Sequence, residues 1–150
     1  KVETLGVRVC IARLGVVLGR NGGALKKMLS PFKMGLGGKI GKGTQYFSWI
    51  HVDDVISAFS FLINEQKQEG VYNLTAPNPV TNEEFTRALG RQLKRPTFFQ
   101  MPELVVRLLF GEMGERLLLN GQRVIPSRLK RDGFKFQYKK IENALKDIVK

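Results

Sequence analysis

The stretch FSWIHVDDV, Phe47 to Val55, gathers the one tryptophan and the one histidine of the chain beside two adjacent carboxylates, Asp53 and Asp54. An imidazole next to carboxylates is the raw material of general acid–base catalysis, and Ser48 in the same stretch adds a hydroxyl nucleophile. Spacing argues against a hydrolytic set. Strand alternation puts Phe47, Trp49 and His51 on one face and Ser48 on the other, and no serine stands in a G-x-S-x-G elbow. A metal centre fares no better, because the histidine and the single Cys10 lie far apart and consecutive side chains point in different directions. The sequence therefore predicts no metal site and no catalytic residue of its own. Carboxylates just before the helical run of Val55, Ile56, Phe59, Leu62 and Ile63 suit a helix N-terminus, so Asp53 or Asp54 is expected as its N-cap. His51 is expected to anchor the turn in the core, while Trp49 suits either core or a pocket wall.

The other chemical suspect is the glycine-rich run Gly35 to Gly43, GLGGKIGKG. Gly38 and Gly43 have the separation of a P-loop, but Thr44 stands where the lysine is required. A G-x-G-x-x-G pattern begun at Gly35 meets Ile40 in place of its third glycine and precedes a strand instead of opening a helix. A flexible loop is expected there, lining a site without cradling phosphate.

The elements that must position these residues read clearly in places. At 150 residues the chain has the size of one domain, long enough to bury about 70% of its unfolded surface. Val7 to Leu18 is a nearly unbroken apolar run, the pattern of a parallel strand buried on both faces. Leu25, Met28, Leu29 and Phe32 predict a helix that kinks or restarts at Pro31. Tyr46 to His51 predicts a short strand, Val55 to about Glu65 a helix, and GVYNLT another strand. Thr81-Asn-Glu-Glu84 is a capping box before Phe85, Ala88 and Leu89, predicting a helix from 82 to about 93. Pro102 is expected to open a helix over Val105, Leu108 and Leu109, broken at Gly111 and Gly114, and Gly121 to stop the next one after Asn120. Ile141, Ala144, Leu145 and Ile148 share one face of a last helix.

Composition limits the function classes. The formal charge is +12, but the basic residues are scattered, with no block of five or more interleaved with aromatics. This placement argues against a dedicated nucleic-acid module. No apolar stretch reaches the roughly 18 residues of a membrane span. A lone Cys10 within apolar surroundings reads as a buried, inert thiol in a reducing, cytoplasmic setting.

The order of segments, RLGVVLG, then a glycine-rich loop, then IHVDD, then YNLTAPNPVTNEEF, resembles the second half of extended short-chain dehydrogenase/reductases, the NAD(P)-dependent epimerase/dehydratase family. The tail GEMGERLLLNGQRVIPSRLKRDGFKF with a helix ending ALKDI resembles the C-terminal domain of one branch of that family. The resemblance implies an α/β fold: the C-terminal portion of a Rossmann-type NAD(P)-binding fold plus a mostly helical substrate-side subdomain. It divides the chain into residues 1–20, the last part of a Rossmann-like sheet, residues 21–95, a substrate-side α/β unit, and residues 96–150, a helical C-terminal domain. It implies NADP or NAD as cofactor, a small-molecule substrate, an N-terminal Rossmann half that the chain lacks, and the possibility of a homo-oligomer.

Neither the family's cofactor glycine turn nor its Tyr-x-x-x-Lys segment is present, since Tyr46, Tyr72 and Tyr138 are not followed by lysine four residues on. The expected reading is a substrate-side fragment, inactive in isolation, with a basic binding module or an oligomerisation domain as the alternatives. By the resemblance, Gly15, Val16 and Val17 run past the nicotinamide end of the cofactor, and Gln45, Phe47, Trp49 and His51 are candidates for the substrate pocket. Val16 and Phe47 stand where sugar-nucleotide epimerases often carry Asn and Arg, which predicts an apolar pocket.

Overall fold

The computed structural model describes residues 6–20, 22–65, 67–102 and 121–150. The helices expected over Val105 to Asn120 lie outside the described residues. The elements in chain order are β1 (Cys10–Leu14), β2 (Val16–Leu18), α1 (Gly23–Lys33), β3 (Gly38–Ile40), β4 (Tyr46–Phe47), β5 (Trp49–His51), α2 (Val52–Asn64), β6 (Gly70–Leu74), β7 (Val80–Thr81), α3 (Asn82–Leu93), β8 (Phe99–Met101), α4 (Ser127–Arg131) and α5 (Ile141–Ile148). Strands pair in twos: β1 with β6, β2 with β5 and β3 with β8 are parallel, and β4 with β7 is antiparallel.

The long apolar run is two strands, not one. It breaks at Gly15, with β1 joining β6 and β2 crossing to β5. Burial on both faces, expected for the whole run, holds only for β2: Ile11 and Leu14 of β1 are about half exposed, at 49% and 51%. Cys10 is likewise half-buried, its thiol donating to the Gln68 carbonyl at 3.1 Å.

β5 divides two hydrophobic clusters. Trp49 packs with Phe47, Phe85, Leu89 and Leu145 of one cluster, while Ile50 packs with Ala58, Leu62, Tyr72 and Leu129 of the other. A strand buried on both faces loses the polar–apolar alternation that a half-exposed strand would show. Ser48 separates β4 from β5, so the expected single strand is two that pair in different directions.

α3 forms as its capping box dictates: Thr81 Oγ1 accepts from the Glu84 N–H at 3.2 Å, and Glu84 Oε2 accepts from the Thr81 N–H at 2.7 Å. α1 runs through Pro31 to Lys33 without a restart, because a proline two residues from the end removes one bond where the ladder is about to stop. The glycine-rich segment is not a flexible loop. Its centre is β3, and a Cβ on Gly38 would fall 1.4 Å from the Phe99 carbonyl oxygen, so glycine lets β8 approach.

The start of α2 departs from expectation in an informative way. Its N-cap is His51, whose Nδ1 accepts from the Asp53 N–H at 3.2 Å. Asp53 and Asp54 occupy the first turn, where the helix dipole favours them, but neither is the cap. Asp54 is only 1% exposed and reaches across the molecule, accepting from the Gln137 N–H at 2.8 Å and the Tyr138 N–H at 3.0 Å. This bond pair fixes the segment leading into α5, whose Ile141, Ala144, Leu145 and Ile148 are buried. On the far side of the second cluster, the Tyr72 hydroxyl donates to Asp132 Oδ2 at 2.9 Å beneath the Arg128 guanidinium. Burial pushes the Tyr72 phenol up, while the hydrogen bond from Arg131 holds the Asp132 carboxyl below its ordinary 3.8.

Two outcomes follow. Asp54→Ala leaves two part-buried N–H groups without their carboxylate partner and should destabilise by about 2 kcal/mol, measured by urea unfolding, with the 134–150 segment losing hydrogen-exchange protection first. Asp132, with its lowered folded-state value, contributes stability that is fully present above pH 3.8 and lost as pH falls through the lowered value, so Asp132→Asn should flatten the acid limb of stability against pH.

Candidate functional site

The chain changes sheets at Gly15, at the C-terminal ends of the parallel strands β1 and β6. Crevices outside such strand ends, where neighbouring connections diverge, are where α/β sheets hold ligands. The passage is tightly set. Gly15 N–H donates to the Leu74 carbonyl at 3.0 Å, Val16 N–H to the Ser48 carbonyl at 2.8 Å, and Ala76 N–H to the Trp49 carbonyl at 2.6 Å. A Cβ at Gly15 would lie 2.5 Å from the Ser48 oxygen and 2.9 Å from Thr75 Cγ2.

A third wall comes from the segment after residue 120. Ser48 Oγ donates to the Gln122 carbonyl at 2.5 Å and accepts from the Val124 N–H at 3.0 Å, and the buried Thr75 hydroxyl donates to the Val124 carbonyl at 3.3 Å. Gly121 lies so close to β4 that a Cβ would meet the Tyr46 carbonyl oxygen at 1.8 Å. The exposed Arg123 guanidinium sits 5.6 Å from the centre of the Tyr46 ring. Sequence reasoning weighed Ser48 only as a nucleophile and set it aside, and it missed Thr75 and Arg123 as site residues. Arg123 lies in the GQRVIPSRL motif, read as a mark of a branch without a place in space, while Ser48 and Thr75 carried no such signal.

The residues singled out from sequence separate. Gly15 and Val17 are half-buried at the sheet change, and Val16 points into the first cluster. Phe47 and Trp49 are core residues, 2% and 0% exposed, with Phe47 against Phe85 at a ring separation of 4.4 Å and Trp49 Nε1 donating to the Asn78 carbonyl at 3.2 Å. Gln45 Nε2 donates to the Ile40 carbonyl at 3.2 Å. His51 is 2% exposed under the Tyr138 ring, with ring centres 3.8 Å apart. Burial and then the nearby Asp147 carboxylate push the Tyr138 phenol up. Among the described residues no group of His, Cys, Asp and Glu could hold a metal ion, and no helix is long and apolar enough to cross a membrane.

Known proteins place this architecture. The sequence pattern of the NAD dependent epimerase/dehydratase family matches residues 2–75, and a domain of unknown function, DUF1731, matches residues 101–148. The chain belongs to this epimerase family. An epimerase family protein of Mycobacterium bovis is 49% identical over 140 residues, which is 93% of this chain and 46% of that protein. The crystal structure of a human epimerase family protein with NADPH superposes with a TM-score of 0.89 at 41% identity, over 95% of this chain and 48% of that one. A nucleoside-diphosphate sugar epimerase from Corynebacterium glutamicum gives a TM-score of 0.76 at 31% identity, over 98% of this chain and 27% of that one. The fold is thus that of Rossmann-type epimerases, as expected, and the chain spans about half the length of the curated relatives it matches.

The passage at Gly15 yields a direct test. Gly15→Ala should destabilise by about 2 kcal/mol, since the new methyl must displace a strand carbonyl, and should perturb the amide resonances of Ser48 and Thr75 before those of α3.

Proposed function

We propose that this chain is the substrate-side portion of an NAD(P)-dependent epimerase or oxidoreductase and has no activity in isolation. The observation that supports this reading best is the sheet change at Gly15, which sets half-buried backbone between the C-terminal ends of β1 and β6 and the start of the β2–β5 pair, with Ser48, Thr75 and the Gln122–Val124 segment facing it. The residues suit one end of the cofactor and not the other. Gly15 and Val17 offer surface for a flat ring, whereas Gly38, at the centre of the glycine-rich run, is used by β3 against β8. The phosphates then fall to residues outside the chain.

In this reading Gly15, Val16 and Val17 form the floor under the nicotinamide. The N–H groups of Gly15 and Val16 are already engaged by Leu74 and Ser48, so their part is to shape and exclude water, not to donate. Bound there, the cofactor would supply hydride transfer. The substrate lies on the side of Tyr46 and Arg123. Phe47, standing where sugar-nucleotide epimerases often carry arginine, is committed to the core and adds no cation, which favours a substrate of lower charge than a nucleotide sugar; Arg123, over the Tyr46 ring, is a cation on this wall. Gln45, Trp49 and His51 act from beneath, by fixing β4 and β5.

The test compares NADPH binding by the chain with binding by a chain extended upstream by roughly 150 residues, one domain. Calorimetry should detect saturable binding for the extended chain alone. Tight binding and turnover by the short chain would falsify the reading.

A further inference from the structure

A second opening lies further along β2 from Gly15, beginning at Val17, two residues or about 7 Å on at about 3.3 Å per residue. It is a pocket of 560 Å³ between the ends of β2 and β5 and the last turn of α5, with Val17, Arg20, Gly22, His51, Asp53 and Asp147 in its walls. Three features give it donor character. His51 uses Nδ1 as the acceptor that caps α2, which puts the proton of the neutral ring on Nε2, and Nε2 is buried with no hydrogen-bond partner among the described residues. Gly22 is the N-cap of the eleven-residue helix α1, whose start has no side-chain cap and no acidic residue in its first turn. Arg20, at the rim, has a half-exposed guanidinium.

Two carboxylates, Asp147 and Asp53, line the pocket beside these donors, and neither fits them well. The Asp147 carboxylate lies 3.6 Å from His51 Nε2, 3.4 Å from Arg20 Nη2 and 3.9 Å from Lys150 Nζ, all beyond the length of a good charge-assisted bond. The firm Arg20 contact, at 2.7 Å, goes to the Asp147 backbone carbonyl instead. Asp53, whose Oδ2 is 3.5 Å from His51 Nδ1, is 49% exposed on the same wall, and His51 Nδ1 is already taken by the Asp53 N–H.

We propose that this pocket binds a phosphate monoester, its phosphoryl oxygens on His51 Nε2–H, Arg20 and the first-turn N–H groups of α1, and its organic body on the apolar walls. A phosphoryl group offers three acceptor oxygens in a tetrahedral spread, where a carboxylate offers two in a plane. The walls at Val17, Val52 and Ile148 are apolar, which suits a ligand with a compact carbon body over bare phosphate. Asp147 competes for the same donors and swings aside on its side chain when the ligand enters, leaving its backbone bond to Arg20 in place.

The single histidine makes the test unambiguous. The 150-residue chain is titrated with inorganic phosphate and with phenyl phosphate near neutral pH, following the His51 ring nitrogens and the backbone amides by NMR. Phenyl phosphate should bind tighter than phosphate, with saturable shifts at His51 Nε2 and in the first turn of α1. Arg20→Gln should weaken binding about tenfold, and Asp147→Asn, which removes the competing charge, should tighten it about tenfold. No saturable His51 shift in either the parent chain or Asp147→Asn overturns the proposal. So do shifts confined to Gly15 and Val16, or binding indifferent to Arg20→Gln while the amide spectrum shows both variants folded.

Discussion

The carboxylate of Asp54 lies 1% exposed at the head of α2, and its charge is met there by the helix dipole and by two N–H groups from residues more than eighty positions away. A buried carboxylate without such partners would cost several kcal/mol, so the position of α2 and the path of residues 137–138 are fixed together. Much else hangs on that agreement. With Tyr138 held, its ring lies on His51; with His51 held, the turn from β5 into α2 has its cap, and α5 presents its four apolar residues to the cluster that includes α3. The division of the core by β5 is a consequence, since Trp49 and Ile50 can face opposite clusters only if both flanks of the strand are covered.

What was legible in the sequence was whatever had a local cause. The capping box at Thr81 and Glu84 gave α3 to the residue, and the spacing of Ile141, Ala144, Leu145 and Ile148 gave the last helix, because the determinants lie within a turn of one another. Elements with distant causes were misread. Asp54 looked like a cap because the sequence shows its neighbours in the chain and not the N–H groups of Gln137 and Tyr138. Gly38 looked like part of a loop because the strand that needs its missing side chain is sixty residues on. Gly15 sits in a run so apolar that periodicity cannot reveal a change of partner, although the change of partner is what opens the crevice.

The candidate site was legible only in outline. Family resemblance brought attention to Gly15, Val16 and Val17, but not to the way Ser48 and Thr75 clasp the Gln122–Val124 segment beside them. Those bonds join a hydroxyl to a backbone, and any serine or threonine could make them, so residue type carried no signal. Phe47 and Trp49 show the opposite case. Their types suited a pocket wall as well as a core, and the burial of both side chains, 2% and 0% exposed, belongs to the tertiary structure.

The bonds from Asp54 to Gln137 and Tyr138 also bear on the order of folding. They close loops of more than eighty residues, and contacts of such high sequence separation form late and slow a folding reaction. During synthesis, α2 and its buried carboxylate leave the ribosome well before the segment that neutralises it. Until residues 137 and 138 emerge, Asp54 must stay hydrated and the cluster around Trp49 must stay open on the side that α5 will cover. The nascent chain therefore passes through an interval with an incomplete core, in which binding by a chaperone competes with docking of its own tail.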